Sequence, residues 1–340
     1  MVKVGVVGYG VIGQRLADGV ALQKDMQLMG VADVAPTLAV RALKEKGMPY
    51  KLYNALPENG PLFENAGIPV SGTLTELIQQ CDIIMDSTSA GVGVKNKELY
   101  QQYGKKAVFQ GGEKNSVADV FFHGYANYEK GMGKQFLKLT SCNTTGLIRS
   151  VDCIDRKVGV EKVAITIIRR VADPGDYHRG LTNALQVDKA PSHQALDLMT
   201  IMPHVDATGI LVHTPVTHGH ILTVVATTKR KISKANILEF FQEHPRIRIV
   251  RLADGFLGNA SLFRYARDLG NPRGDMYEIA AWEETIVNSG NDIMYAINIP
   301  QEAVVIPENM DAIRAAMEMQ KDRLEAVGLT NKYLGMGKWL

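Results

Sequence analysis

Cysteine is scarce in this 340-residue chain: Cys81, Cys142 and Cys153 are the only three, and no two form a CxxC pair. An odd count without paired spacing excludes a disulfide framework and a structural zinc site, so no metal is expected. Any cysteine that matters does so singly, as a thiol. A surplus of either charge is also missing, with 38 Lys and Arg against 36 Asp and Glu. Such a balance recommends neither nucleic acid nor an anionic membrane surface as a partner. No apolar run approaches the roughly 18 residues of a membrane span, and the stretch from Val4 to Ile12 is broken by Gly5, Gly8 and Gly10. A cytoplasmic location is therefore expected. What the chain does have is length and apolar content, 46% hydrophobic, which suits two domains with sizeable cores.

The first stretch, to Val7, reads as a strand; Gly8, Tyr9 and Gly10 break it, and Ile12, Leu16 and Val20 then mark one stripe of a helix. Short apolar runs follow at 26–32, 82–87, 107–110 and 136–140, separated by helical segments, one of them opened by a Thr73 and Glu76 capping box. Buried strands alternating with helices mean βαβ units and a parallel sheet. After Cys142 the pattern changes. Val163, Ile165 and Ile167 alternate with polar neighbours, as do residues 210–227, and runs at 277–287 and 293–299 flank a hairpin-like Asn288-Ser289-Gly290-Asn291. Helices over 236–243 and 262–269 would cover one face of this sheet. A last helix, 307–327, is expected to return to the first domain.

Gly8, Gly10 and Gly13 form GxGxxG between the first strand and helix, and Asp33 ends the next strand 20 residues on. In that context the pattern indicates a dinucleotide site: a sharp turn, close approach of backbone to pyrophosphate, and tight helix packing, with phosphates on the N–H groups near Val11 and Ile12. The fold class is thus α/β, a Rossmann-type doubly wound parallel sheet plus an α+β catalytic domain with a mostly antiparallel sheet. Asp33 can accept from both adenosine ribose hydroxyls of NAD and would repel the 2′-phosphate of NADP, so NAD is the preferred cofactor and NADP the alternative. Asp33 could also serve simply as a turn residue.

Ser141, Cys142, Asn143, Thr144, Thr145 and Gly146 follow an apolar strand and open a helix. A helix N-terminus favours a thiolate and offers N–H groups to an oxyanion, the two needs of thioester chemistry. Cys81 and Cys153 sit in apolar sequence and read as packing residues. A thiolate nucleophile calls for a base. His218 and His220 stand two apart in a strand-like segment, on one face of a regular strand, and either could reach the thiol. Arg169 and Arg170 close the strand from Val163 and are candidates for an anion contact; alternation lets one of them at most face the site unless the strand ends there. Gly111, Gly112, Glu113 and Lys114 follow another parallel strand, where open sheets bind ligands.

Together these motifs resemble one family. Gly-Tyr-Gly-Val-Ile-Gly from Gly8, Phe-Gln-Gly-Gly-Glu-Lys from Phe109, Ser-Cys-Asn-Thr-Thr-Gly from Ser141, the Arg169-Arg170 pair, Ala172 to Pro174, Pro191 to His193 and Ile306 to Asn309 resemble the archaeal-type glyceraldehyde-3-phosphate dehydrogenases over nearly the whole chain. The resemblance implies phosphorylating oxidation of an aldehyde with NAD or NADP, inorganic phosphate as co-substrate, and a homotetramer. It assigns Cys142 as nucleophile and His218 as the catalytic histidine. It places Val11, Ile12, one of Gly111 and Gly112, Arg170 and Gln301 against the dinucleotide, and Ser141, Asn143, His193 and Gln194 against the substrate. Arg169 stands as a separate anion candidate. Relatives often carry a basic residue where this chain has Asp33, and a second histidine where it has Gln194. The resulting division is a dinucleotide domain of residues 1–140 with 301–340 and a catalytic domain of 141–300. A semialdehyde dehydrogenase of similar architecture and a non-catalytic NAD-binding sensor are the competing readings.

Overall fold

The computed structural model describes residues 1–170, 185–216 and 218–337; the Ala172 to Pro174 motif lies outside the described residues. Two compact units divide the chain, one of Met1–Leu139 with the segment from Ile306 onward, the other of Thr140–Val305.

In the first unit β1 (Val2–Val7), α1 (Val11–Leu22), β2 (Met26–Asp33), α2 (Leu38–Glu45), β3 (Leu52–Asn54), α3 (Gly60–Asn65), α4 (Leu74–Gln80), β4 (Ile83–Asp86), α5 (Gly93–Gln102), β5 (Lys106–Phe109), β6 (Val120–Phe122) and β7 (Phe136–Leu139) follow in order. The strands form one sheet, β3-β2-β1-β4-β5-β7-β6, and every pairing is parallel. Strands such as β4 are buried along their length because helices cover both faces. The capping box forms as the sequence requires: Thr73 Oγ1 accepts from the Glu76 N–H, and Glu76 Oε2 accepts from the Thr73 N–H at 2.6 Å.

The second unit contains α6 (Cys142–Val158), β8 (Val160–Arg170), β9 (Gln186–Val187), α7 (His193–Ile201), β10 (Asp206–Thr214), β11 (His220–Thr228), α8 (Lys234–Glu243), β12 (Ile247–Val250), α9 (Asn259–Asp268), β13 (Ile279–Trp282), β14 (Val287–Ser289) and β15 (Asp292–Ile299). Its sheet runs β12-β13-β15-β11-β8-β10-β9, with β14 on β15. Only β8–β10 and β12–β13 pair in parallel. Strand β11 alternates buried and half-buried residues, as a sheet with one fully covered face should. On the covered face Tyr295 donates to Ser150 Oγ of α6 at 3.1 Å and meets Phe241 of α8 edge-on. On the other face α9 packs Leu262 and Ala266 against Ala280, Trp282 and Ile221, so the two helices expected on one face cover opposite faces of the sheet.

Two expectations from periodicity are corrected. The strand expected over 277–287 is split into β13 and β14, because Thr285 Oγ1 donates to Trp282 O at 2.8 Å and accepts from the Ala296 N–H at 2.9 Å, standing in for ladder bonds. The single helix expected over 307–327 is two, α10 (Ile306–Ala316) and α11 (Arg323–Tyr333), with Glu318 between them at φ 53°. Both belong to the first unit. Helix α10 is buried throughout, and its polar residues are bonded there: Arg314 meets Asp25 at 2.7 Å, Gln23 at 2.9 Å and Thr330 at 2.8 Å.

Candidate active site

In the first unit the glycine loop leaves β1 at Gly8, whose φ is 87° and whose missing Cβ leaves room for the Ser87 carbonyl at 3.0 Å. Ser87 Oγ donates to Gly8 O at 2.8 Å, joining the loops after β1 and β4. These two strands are adjacent but lead in opposite directions across the sheet, the switch point where doubly wound sheets bind ligands. At Gly13 a Cβ would collide with the Gly8 carbonyl oxygen, so the helix closes tightly on the loop. At Gly10 a Cβ would meet nothing within 4 Å, and no side chain caps α1. The N-terminal N–H groups around Val11 and Ile12 therefore face an open cradle that fits a pyrophosphate.

Asp33, at the end of β2, is woven into the same loop. Its Oδ2 accepts from the Tyr9 N–H at 2.9 Å, and its Oδ1 accepts from the Val34 N–H at 2.7 Å. Burial raises its pKa, and the Val34, Tyr9 and Ala35 N–H groups oppose that rise. A carboxylate has about four acceptor sites, and with the Tyr9, Val34 and Ala35 N–H groups on three of them about one remains for a ribose hydroxyl. Gly111 and Gly112 follow β5 in an exposed loop, with Gly111 at φ 146° and its carbonyl accepting from Lys138 Nζ at 3.0 Å.

In the second unit Cys142 is the first residue of the 17-residue α6 and is half-buried. Ser141 caps the helix by accepting from the Thr144 N–H at 3.4 Å, and Thr144 Oγ1 reaches Asp197 of α7 at 3.0 Å. The other two thiols are sealed away: burial pushes Cys81 up to about 12 and Cys153 well above the usual range. One turn on from Cys142, Gly146 lies against the sheet, where a Cβ would overlap Ile299 Cδ1 and stand 3.0 Å from Ile279 Cγ2. Ile299 is the cross-strand partner of His220. The first turn of α6 thus lies on the His220 end of the second sheet.

The two histidines do not share a strand face. Strand β11 begins at His220, and Gly219 before it sits at φ 64°, a left-handed residue that breaks the alternation. His218 is exposed, its ring 4.4 Å from Phe263 of α9 on the far face. His220 is buried, and its Nδ1 accepts from the Arg170 N–H at 3.2 Å. Burial, then Arg170, Arg169 and His213, hold its pKa well below the usual imidazole range.

Arg170 is buried and pairs with Glu302 at 2.8 Å, while Arg169 is half-buried and close enough to lower the proton affinity of both His193 and His220. His193 opens α7 with an exposed edge; partial burial lowers its pKa and Asp197 opposes this. Gln301 follows β15 in the second unit rather than the first. Asn143 Oδ1, Gln194 Oε1, Ser192 Oγ, Asn298 Oδ1 and His220 Nε2 are buried without a hydrogen-bond partner among the described residues. Buried polar atoms of this kind are ones that a ligand or ordered water can satisfy. Asp197, Asn298 and Glu302 escape a reading of the sequence; only the spacing of Asp197, one turn after His193, offered a signal.

Sequence comparison decides the family. Glyceraldehyde-3-phosphate dehydrogenase of Sulfolobus acidocaldarius is 42% identical over 99% of this chain and 98% of its own. That of Thermococcus kodakarensis is 41% identical over 99% of each chain. The chain belongs to the glyceraldehyde-3-phosphate dehydrogenase family. A family profile described as the C-terminal domain of glyceraldehyde 3-phosphate dehydrogenase matches residues 141–285 of this family member, and one described as the N-terminus of dihydrodipicolinate reductase matches residues 2–112. Among solved structures, aspartate semialdehyde dehydrogenase II from Vibrio cholerae shares the fold, with a TM-score of 0.66, 15% identity and coverage of 95% of this chain and 99% of its own. Within the glyceraldehyde-3-phosphate dehydrogenase fold, the nicotinamide-cofactor cradle belongs to the first unit and the thiol to the second.

Proposed function

We propose that the protein oxidises D-glyceraldehyde 3-phosphate to 1,3-bisphosphoglycerate, and runs the reverse reaction, through a thioester on Cys142. The observation that carries this reading is Cys142 at the N-terminus of α6, in a capped turn over the His220 end of the sheet. Cys142 thiolate adds to the aldehyde carbon, and the N–H groups of the α6 first turn face the oxygen that becomes negative. When bound, the dinucleotide supplies the hydride acceptor that turns the adduct into a thioester. Inorganic phosphate then attacks the thioester carbon and the thiolate leaves. Arg169, His193 and Gln194 hold the phosphate groups of substrate and co-substrate, with Ser141 and Asn143 at the reacting end. His220, on the α6 side of the sheet, takes the place beside the thiol that the family resemblance assigned to His218.

NAD is the preferred dinucleotide. Asp33 is followed by Val34 and Ala35, so a 2′-phosphate would meet a carboxylate and neither of the next two residues offers it a cation. The family resemblance supports Gly111 and Gly112 as further dinucleotide contacts in the first unit, and Arg170 and Gln301 as the second unit's candidates. The working form is a homotetramer, supported by apolar residues left open on the outer face of the second sheet, among them Ile210 at 51% and Met294 at 47% exposure.

One assay tests the activity. Purified protein given glyceraldehyde 3-phosphate and NAD should form NADH only when inorganic phosphate is present. Turnover of an amino-acid semialdehyde in its place would overturn the reading.

A further inference from the structure

We propose that Asp86 is a positioning residue for the dinucleotide, its buried carboxylate fixing the loop after β4 between the glycine loop and the Gly111–Gly112 loop. The inference rests on the reading of the glycine loop as a dinucleotide cradle.

Asp86 is the last residue of β4 and is 2% exposed. Four donors converge on it. Its Oδ1 accepts from the Thr88 N–H at 3.0 Å and from Thr88 Oγ1 at 2.5 Å, and its Oδ2 accepts from Asn96 Nδ2 at 2.9 Å and from the Tyr100 hydroxyl at 2.7 Å. Together they fill the roughly four acceptor sites of a carboxylate. Asn96 and Tyr100 stand one turn apart on α5, so one oxygen takes the helix and the other takes the loop. Burial, then the Asp86 charge, holds the Tyr100 hydroxyl well above the usual phenol range, which keeps it a donor. All four donors are neutral groups, and a charge buried among neutral groups is costly unless each of its bonds is made.

The loop held in this way touches a ligand-binding turn on either side. A Cβ on Gly8 would stand 3.0 Å from the Thr88 amide nitrogen and from the Ser87 carbonyl. A Cβ on Gly111 would stand 3.2 Å from the Thr88 carbonyl oxygen, and one on Gly112 3.1 Å from Ala90 Cβ. Thr88 is therefore packed by its backbone between two glycines, with no side chain on Gly8 or Gly111 to absorb a shift. Displacing Thr88 would displace the Gly8 turn, and with it the α1 N–H groups of the pyrophosphate cradle. What Asp86 sets is the affinity for the dinucleotide. A contact that serves bound substrate and transition state alike raises KM when lost and leaves kcat in place.

Asp86→Asn keeps the shape but offers one oxygen in place of two, so donors on one side lose their acceptor. The dissociation constant for NAD, read by calorimetry, and the KM for NAD should rise about tenfold or more, as for loss of a hydrogen bond to a charged group. In the same variant kcat should stay within about twofold of the parent. Adding Asn96→Asp returns a carboxylate to the network: the amide at 86 accepts from Thr88 and donates to position 96, which already reaches the Tyr100 hydroxyl. The double variant should bind NAD within about threefold of the parent, and one as weak as Asp86→Asn overturns the proposal. Thr88→Val removes only the hydroxyl bond and should weaken NAD in the same direction; unchanged affinity there overturns the proposal even where Asp86→Asn does not fold. Thr330→Val, which breaks the buried Asp311 and Arg314 bonds of α11, serves as the comparison. It should lower the melting temperature and leave NAD binding alone, whereas affinity lost in step with melting temperature in both variants would make Asp86 a stabilising brace and nothing more. A parent protein that binds no NAD would sink the cofactor reading and this proposal together; a parent that binds it no better than Asp86→Asn sinks this proposal alone.

Discussion

Gly146 of α6 rests on Ile299 of β15, the strand residue paired with His220. With no Cβ on Gly146, the helix backbone lies directly on the Ile299 side chain, which holds the start of α6, and Cys142 with it, close to the sheet. Gly146→Ala should force Ile299 aside or lift the turn. Overpacking of this kind costs about 1–3 kcal/mol, and the alkylation rate of Cys142 should fall along with the melting temperature. An unchanged melting temperature would mean that Ile299 yields freely.

Cys142→Ser removes the nucleophile and leaves the cradle of the first unit untouched. Phosphate-dependent NADH formation should vanish while NAD binding, read by calorimetry, persists. Residual phosphate-dependent turnover would contradict the thioester.

For the histidines, His218→Asn should leave turnover near the parent value, since its ring is exposed on Phe263. A loss of about 10²- to 10⁴-fold, typical of a missing general base, would restore His218 to the catalytic role that the family resemblance implies.

Asp33→Ala should raise the NADP to NAD efficiency ratio, and Asp33→Lys should raise it further by adding a cation for the 2′-phosphate. Both should also weaken NAD itself, because the Tyr9 N–H loses its acceptor and the glycine loop loosens. A ratio that does not move would reduce Asp33 to a loop brace.

Stability should fall in acid partly through His220. Its folded pKa lies well below the usual 6.5, so below that pH the unfolded chain binds a proton that the folded chain refuses. His193 shifts in the same direction. The urea midpoint should drop as pH falls through about 6.5, and less steeply in His220→Gln. Equal slopes in parent and variant would show that His220 is not the group responsible.

Much was legible in the chain itself. GxGxxG followed by Asp33 specified strand, turn and helix because each glycine answers a steric demand local to that turn, and the collision awaiting any side chain at Gly13 shows how strict the demand is. The Ser141 cap and Cys142 at a helix start were likewise local, as was the alternation that marks β8 and β11. Periodicity failed where a single backbone or side-chain event cut an element: Thr285 bonding in place of the ladder, Glu318 turning the chain between α10 and α11.

The histidines mark the boundary between the two kinds of information. Two residues apart, His218 and His220 look equivalent under strand alternation, and the sequence could do no more than name both. Gly219 adopts a left-handed conformation and β11 starts only at His220, so one ring goes to Phe263 and the other turns inward to the Arg170 N–H. Asp197 and Glu302 join the site for the same reason: their partners, Thr144 and Arg170, are near in space and distant in sequence. The sequence by itself determined the chemistry available, a thiol at a helix start and a dinucleotide loop, since those depend on neighbours a few residues away. Which histidine faces the thiol helix was decided only by the pairing of β8, β11 and β15, because strand register is a property of distant segments brought together.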